Sequence, residues 1–83
     1  MKILYFAWLR ERVGRGEDVV EPPPDVATIT ELIDWLAGQS PGHFAAFANR
    51  KLVKVARDQV HVDHSALVAG AQEIAFFPPV TGG

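Results

Sequence analysis

Cysteine is absent from all 83 residues, so no thiolate is available as nucleophile, metal ligand or half of a disulfide. The side chains left for chemistry are few. His61, Asp63 and His64 form the one close cluster of ligand types. Their His-x-Asp-His spacing supplies three donors at most, and a zinc site without thiolates needs more ligands and a shell of supporting hydrogen bonds. They read as histidines of a surface turn. His43 stands alone beside an apolar segment, the usual setting of a packing or capping residue rather than a base. Gly14-Arg15-Gly16 lacks the further glycine and the lysine of a phosphate loop. Ser40 and the threonines have no His/Asp pair beside them in sequence, and Asp63-His64 next to Ser65 does not read as a plausible triad pair, so any triad is left to the fold.

One further group is the C-terminal carboxylate. The chain closes on Ile74-Ala75-Phe76-Phe77-Pro78-Pro79-Val80-Thr81-Gly82-Gly83. Pro78 and Pro79 lack N–H groups and hold φ near its extended value, so strand pairing must stop there and the chain leaves in a fixed direction. Gly82 and Gly83 remove the Cβ bulk that would keep a backbone out of a narrow cleft. Residues 78–83 are therefore expected to project as a tail with Gly83 as its reactive end. By themselves two glycines also describe a frayed terminus. Any sulfur chemistry at that end needs imported sulfur.

Eight basic and ten acidic residues leave a formal charge of −2, with no Lys/Arg run to suggest nucleic acid or an anionic membrane. No apolar stretch is long enough to span a bilayer. The first residues run straight into strand-like sequence without a leader cleavage pattern, so a cytoplasmic protein is expected. The length fits one domain, 1–83, with a modest core.

The elements that would position the tail can be read in order. Residues 2–8 are β-branched and aromatic and predict a strand. Leu9–Val13 predicts a helical turn or loop closed by glycine, Glu17–Glu21 a second strand, and Pro22-Pro23-Pro24 a stiff connector. Thr28-Ile29-Thr30-Glu31 fits a capping box, and Ile29, Leu32, Ile33 and Leu36 then fall on one helical face before Gly38. Residues 43–48 suggest a short second helix with Phe44 and Phe47 paired on one side. Strands are expected at 52–57, 60–62 and 73–77, with Asp58-Gln59 as a tight connection. Two strands, a main helix and three strands make an α+β, β-grasp arrangement, the helix on one face of a mixed sheet and the first and last strands parallel neighbours.

One helix covers one sheet face, and charges mark the other. Lys2, Lys54 and Glu73 assign Ile3, Tyr5, Ala7, Val53, Val55, Ile74 and Phe76 to the core. The uncovered face then carries Leu4, Phe6, Trp8 and Phe77, joined by Val60 or Val62. That much apolar surface predicts a protein partner.

The terminal Phe76-Phe77-Pro78-Pro79-Val80-Thr81-Gly82-Gly83 resembles the signature of the MoaD family, small subunits of molybdopterin synthase and ubiquitin-like sulfur carriers. The opening Lys2-Ile3-Leu4-Tyr5-Phe6-Ala7-Trp8-Leu9-Arg10-Glu11 is similar to that family's start. The likeness spans essentially the whole chain. Gly70-Ala71-Gln72 and Ala56-Arg57 depart from the family pattern at loop positions.

The resemblance implies that Gly83 is adenylated by an ATP-using activating enzyme of the MoeB kind and converted to a thiocarboxylate. It implies that Val80, Thr81, Gly82 and Gly83 enter a MoaE-like large subunit, which supplies the catalytic side chains, in a heterotetramer. There the sulfur passes to cyclic pyranopterin monophosphate during molybdenum cofactor biosynthesis. Phe6, Val60 and Phe77 match the family's docking residues. The chain is expected to bind no cofactor, metal, nucleic acid or membrane itself. Three readings stay open: this one, a carrier for thiamine or tRNA thiolation or a protein modifier, and an interaction domain with an inert tail.

Overall fold

The computed structural model describes residues 1–79; the expected glycine end of the tail, residues 80–83, lies outside the described residues. Five strands form one sheet: β1 (Lys2–Tyr5), β2 (Glu17–Val19), β3 (Lys54–Arg57), β4 (Val60–Val62) and β5 (Glu73–Phe77), in the order β2-β1-β5-β3-β4. β1 and β5 pair in parallel and every other pair is antiparallel. Among the described residues three α-helices accompany it: α1 (Trp8–Val13), α2 (Ile29–Ala37) and α3 (Pro41–Ala46). This is the expected β-grasp layout, with α2 as the main helix.

The capping box fixes the start of α2. The Thr28 hydroxyl accepts the Glu31 N–H, and the Glu31 carboxylate accepts the Thr28 N–H. Ile29, Leu32, Ile33 and Leu36 are all fully buried. They meet Ile3, Tyr5, Val55, Ile74 and Phe76 from the sheet, and Val53 just before β3, the inward set that strand alternation selects. Phe47 and Phe76 pack edge to face at 5.0 Å between ring centroids, and Tyr5 lies against both.

Four expectations need correction. β1 stops at Tyr5 instead of running to Trp8, because Ala7 turns the chain at φ 53, ψ −131 and α1 begins. The turn buries Leu9 and Val13, which sit one above the other on α1 and have no place on a longer strand. Ala7 is thereby exposed rather than in the core. Trp8 packs partly against the core, with the Arg12 guanidinium 4.5 Å from its ring centroid, and leaves the open face. In α3, Ser40 caps and Pro41 leads the helix, so His43, Ala46 and Phe47 turn inward while Phe44 is 68% exposed. The third strand starts late: Arg50–Leu52 forms a 3₁₀ turn first.

The fourth correction concerns β4. Asp58 and Gln59 both adopt positive φ, the geometry of a two-residue hairpin turn. That turn sets Val60 opposite Arg57, His61 opposite Ala56 and Val62 opposite Val55. Val60 and Val62 thus share the side of core-facing Val55, and β4 gives His61 to the open face. Val60, 63% exposed, stands at the outer edge of the sheet.

Arg57, the last residue of β3, faces the Gly70 loop. Arg57 donates from Nε to the Leu67 carbonyl at 3.1 Å and from Nη2 to the Ala69 carbonyl at 2.6 Å, beside Gly70 with φ 80. Asp58 accepts the N–H groups of Gln72 and Glu73, which brings the chain into β5.

Candidate functional site: the open sheet face and the tail root

β5 ends at Phe77, and Pro78 and Pro79 follow it outside the ladder. Phe77 lies opposite Lys54 on β3. On its other side the Phe6 N–H donates to the Phe76 carbonyl at 3.1 Å, continuing the parallel ladder one step past Tyr5–Phe76. Phe6, 49% exposed, therefore stands beside Phe77 on the open face. Leu4 is half-buried one register step inward, and Ala75 and Ala56 fill the centre of the face with small side chains. The result is a shallow apolar surface around the root of the tail. Of the three residues matched to family docking positions, the fold brings Phe6 and Phe77 together and sets Val60 at the sheet margin.

His61, Asp63 and His64 are not gathered into a donor set. The His61 ring is tilted against Phe77 at 5.1 Å between centroids, whereas the His64 Nε2 donates to the Val53 carbonyl at 2.8 Å. His64 also offers its own carbonyl to the Thr30 N–H and hydroxyl, which ties the turn to the start of α2. Among the described residues no group of three or more His, Cys, Asp or Glu side chains is arranged to hold a metal ion.

The sequence missed a polar cluster that the fold assembles in the interior. Asp18 lies opposite Ile3, an inward position, and its Oδ2 accepts from the Tyr5 hydroxyl at 2.8 Å and from the His43 Nε2 at 2.9 Å. Arg15 holds its Oδ1. The Ser40 Oγ meets the His43 Nδ1 at 2.7 Å and accepts the His43 backbone N–H at 3.1 Å. Ser40, His43 and Asp18 thus stand in line, but the hydroxyl is engaged as the cap of α3 and the imidazole is only 2% exposed. That arrangement locks α3 to β1 and β2 and offers no approach to a substrate. Burial works against the Asp18 charge, yet hydrogen bonds from His43, Arg15 and Tyr5 outweigh it and hold its carboxyl below the usual value. Burial, then the bond to Asp18, pushes the Tyr5 hydroxyl well above the usual phenol range. One signal was present: with β2 paired to β1, Asp18 falls on the core side, where a carboxylate requires partners.

Among the described residues no helix is long and apolar enough to cross a membrane. The model of the ThiS family matches residues 3–83. The molybdopterin synthase sulfur carrier subunit of Escherichia coli is 39% identical over 83 residues, covering 100% of this chain and 99% of that protein. The subunit of the same name from Haemophilus influenzae is 36% identical over the same shares. Among solved structures, SAMP1 from Haloferax volcanii superposes with a TM-score of 0.74 at 28% identity, over 100% of this chain and 98% of that one.

Proposed function

The chain belongs to the ThiS family, and from that membership we propose that it is the sulfur-carrier small subunit of a molybdopterin synthase. The observation that carries this reading is the end-to-end match, at 39% identity, to a protein named for that role. The apolar face around Phe6 and Phe77 supports it, since a carrier without catalytic groups needs a docking surface beside its tail.

The proposed chemistry follows from what a carboxylate lacks. It is a poor electrophile and holds no sulfur. An activating enzyme joins the Gly83 carboxylate to the α-phosphate of ATP, releasing pyrophosphate, and AMP becomes the leaving group. A sulfide equivalent then displaces AMP, and the thiocarboxylate sulfur becomes the nucleophile. Val80, Thr81, Gly82 and Gly83 enter the active site of a large subunit, in an assembly of two small and two large subunits. There the sulfur attacks a carbon of cyclic pyranopterin monophosphate, water cleaves the resulting acyl–sulfur bond so that Gly83 returns to a carboxylate, and a second thiocarboxylate supplies the other sulfur of the dithiolene. This chain supplies the tail and its aim; the large subunit supplies the catalytic side chains.

Intact mass after co-expression with an activating enzyme tests the reading. One oxygen at Gly83 should be exchanged for sulfur; an unchanged mass would remove the carrier role. Docking is tested separately. Phe77→Asp should weaken capture of the large subunit by roughly a hundredfold, the effect of losing a central aromatic anchor, with an unchanged circular dichroism spectrum. Undiminished binding would move the docking face elsewhere. A second reading, a modifier joined to lysines of other proteins, draws on the fold match to a protein named as a small archaeal modifier. Lysine-linked conjugates in mass spectra, with no capture of a large subunit, would favour it.

A further inference from the structure

The open face is not uniform. Beyond Phe77 it gains the positive charge of Lys54, directly opposite on β3, while the His61 ring leans on Phe77 from β4. The β3–β4 ladder ends at the Val55–Val62 pair, and past it the two chains border a groove of about 770 Å³. Lys51, Lys54, His61 and Asp63 stand in its wall, with Phe77 at the end where the tail departs. Arg50 also borders the groove but is engaged with Asp34 at 2.5 Å. Lys51 and Lys54 are exposed, and among the described residues neither is ion-paired. At the far end of the face the charges balance, Lys2 standing opposite Glu73. A positive patch at the tail root of a chain whose net charge is −2 is a local feature, set against the field of the whole molecule.

We propose that this groove receives an acidic segment of the large subunit, one that places carboxylates against Lys51 and Lys54 while an apolar neighbour covers Phe77. The proposal rests on the sulfur-carrier reading and adds the chemistry of the partner's surface to it. Charge complementarity selects the occupant. Two free ammonium groups beside an aromatic ring suit a few carboxylates on a protein surface. They are too few, with Asp63 in the same wall, to neutralise a run of phosphates, which excludes a nucleic-acid strand as the better partner. Charges at the rim of an interface act mainly on encounter, so this patch would steer the tail end of the chain toward its receptor.

The test measures affinity and association rate of the full chain for the large subunit at low and at physiological salt. Lys51→Glu combined with Lys54→Glu should weaken binding on the order of tenfold at low salt, mostly through slower association, and flatten the salt dependence. Lys2→Glu, on the same face but away from the groove, should change binding by less than about twofold. Replacing the matching large-subunit carboxylates by lysine should restore affinity to the double variant. Wild-type affinity and salt dependence in the double variant would overturn this proposal alone, provided that Phe77→Asp still weakens binding. No binding by the wild-type chain would overturn it together with the sulfur-carrier reading. Tighter binding of a single-stranded oligonucleotide than of the large subunit would also overturn it. Both lysines are exposed, and matching thermal melts would confirm that the variants are folded.

Discussion

Deleting Gly83, or adding one residue after it, is expected to abolish sulfur transfer while leaving the melting transition unchanged. The reacting group in the proposed mechanism is the terminal carboxylate, whose position is set by the number of residues beyond Phe77. Removing one residue of extended chain withdraws it by about 3.5 Å. Reaction requires the attacking atoms to approach to roughly 3–3.5 Å, and a misplacement of about 1 Å already costs on the order of a hundredfold. A tail one residue short still ends in glycine, at Gly82, so the loss would report reach rather than residue type. The buried core runs from Ile3 to Phe76, which is why stability should not follow activity. Single-turnover sulfur transfer with the large subunit, beside a thermal melt, makes the measurement. Transfer by an extended chain that mass spectrometry shows to be untrimmed would defeat the mechanism.

Asp18→Ala is expected to destabilise the fold by about 2–5 kcal/mol, because two buried donors, the Tyr5 hydroxyl and the His43 Nε2–H, lose their shared acceptor. Against the roughly 5–15 kcal/mol that holds a domain of this kind, that is a large fraction. Asp18→Asn keeps one acceptor oxygen and should lose less. The pH dependence has a definite sign. The carboxyl of Asp18 is held below its ordinary value of about 3.9, so its contribution is complete above that pH and disappears as pH falls through the lower folded value. Urea unfolding from neutral into acid pH should therefore show the gap between wild type and Asp18→Ala closing only below pH about 4. Equal stability of the two proteins at neutral pH would mean that the cluster contributes nothing to the fold.

How much was legible can be judged from particular residues. The Thr28 capping box, the burial of Ile29, Leu32, Ile33 and Leu36, and the inward parity of Ile3, Tyr5, Val53, Val55, Ile74 and Phe76 all stand as the sequence implied. Each rests on a short-range period, 3.6 or 2, that a chain carries within a few residues. Trp8 was misplaced because a parity argument assumes that the strand continues, and nothing in the alternation marks the turn at Ala7. Phe44 was misplaced because the phase of a short helix depends on where it starts, and the Ser40 cap sets that start.

The tail root shows the division most clearly. Two prolines after an apolar run, followed by two glycines, are enough to say that pairing stops near Phe77 and that a slender end follows, since both effects are properties of single residues. What surrounds that root was decided by pairing between distant strands. The parallel ladder set Phe6 beside Phe77; the hairpin at Asp58-Gln59 turned His61, not Val60, to the same face; and β3 placed Lys54 opposite. Asp18 and His43 likewise meet across 25 positions of chain. Register and polar partnership join residues far apart in sequence, and one residue of slip reverses every side chain of a strand, so only the folded sheet could settle them.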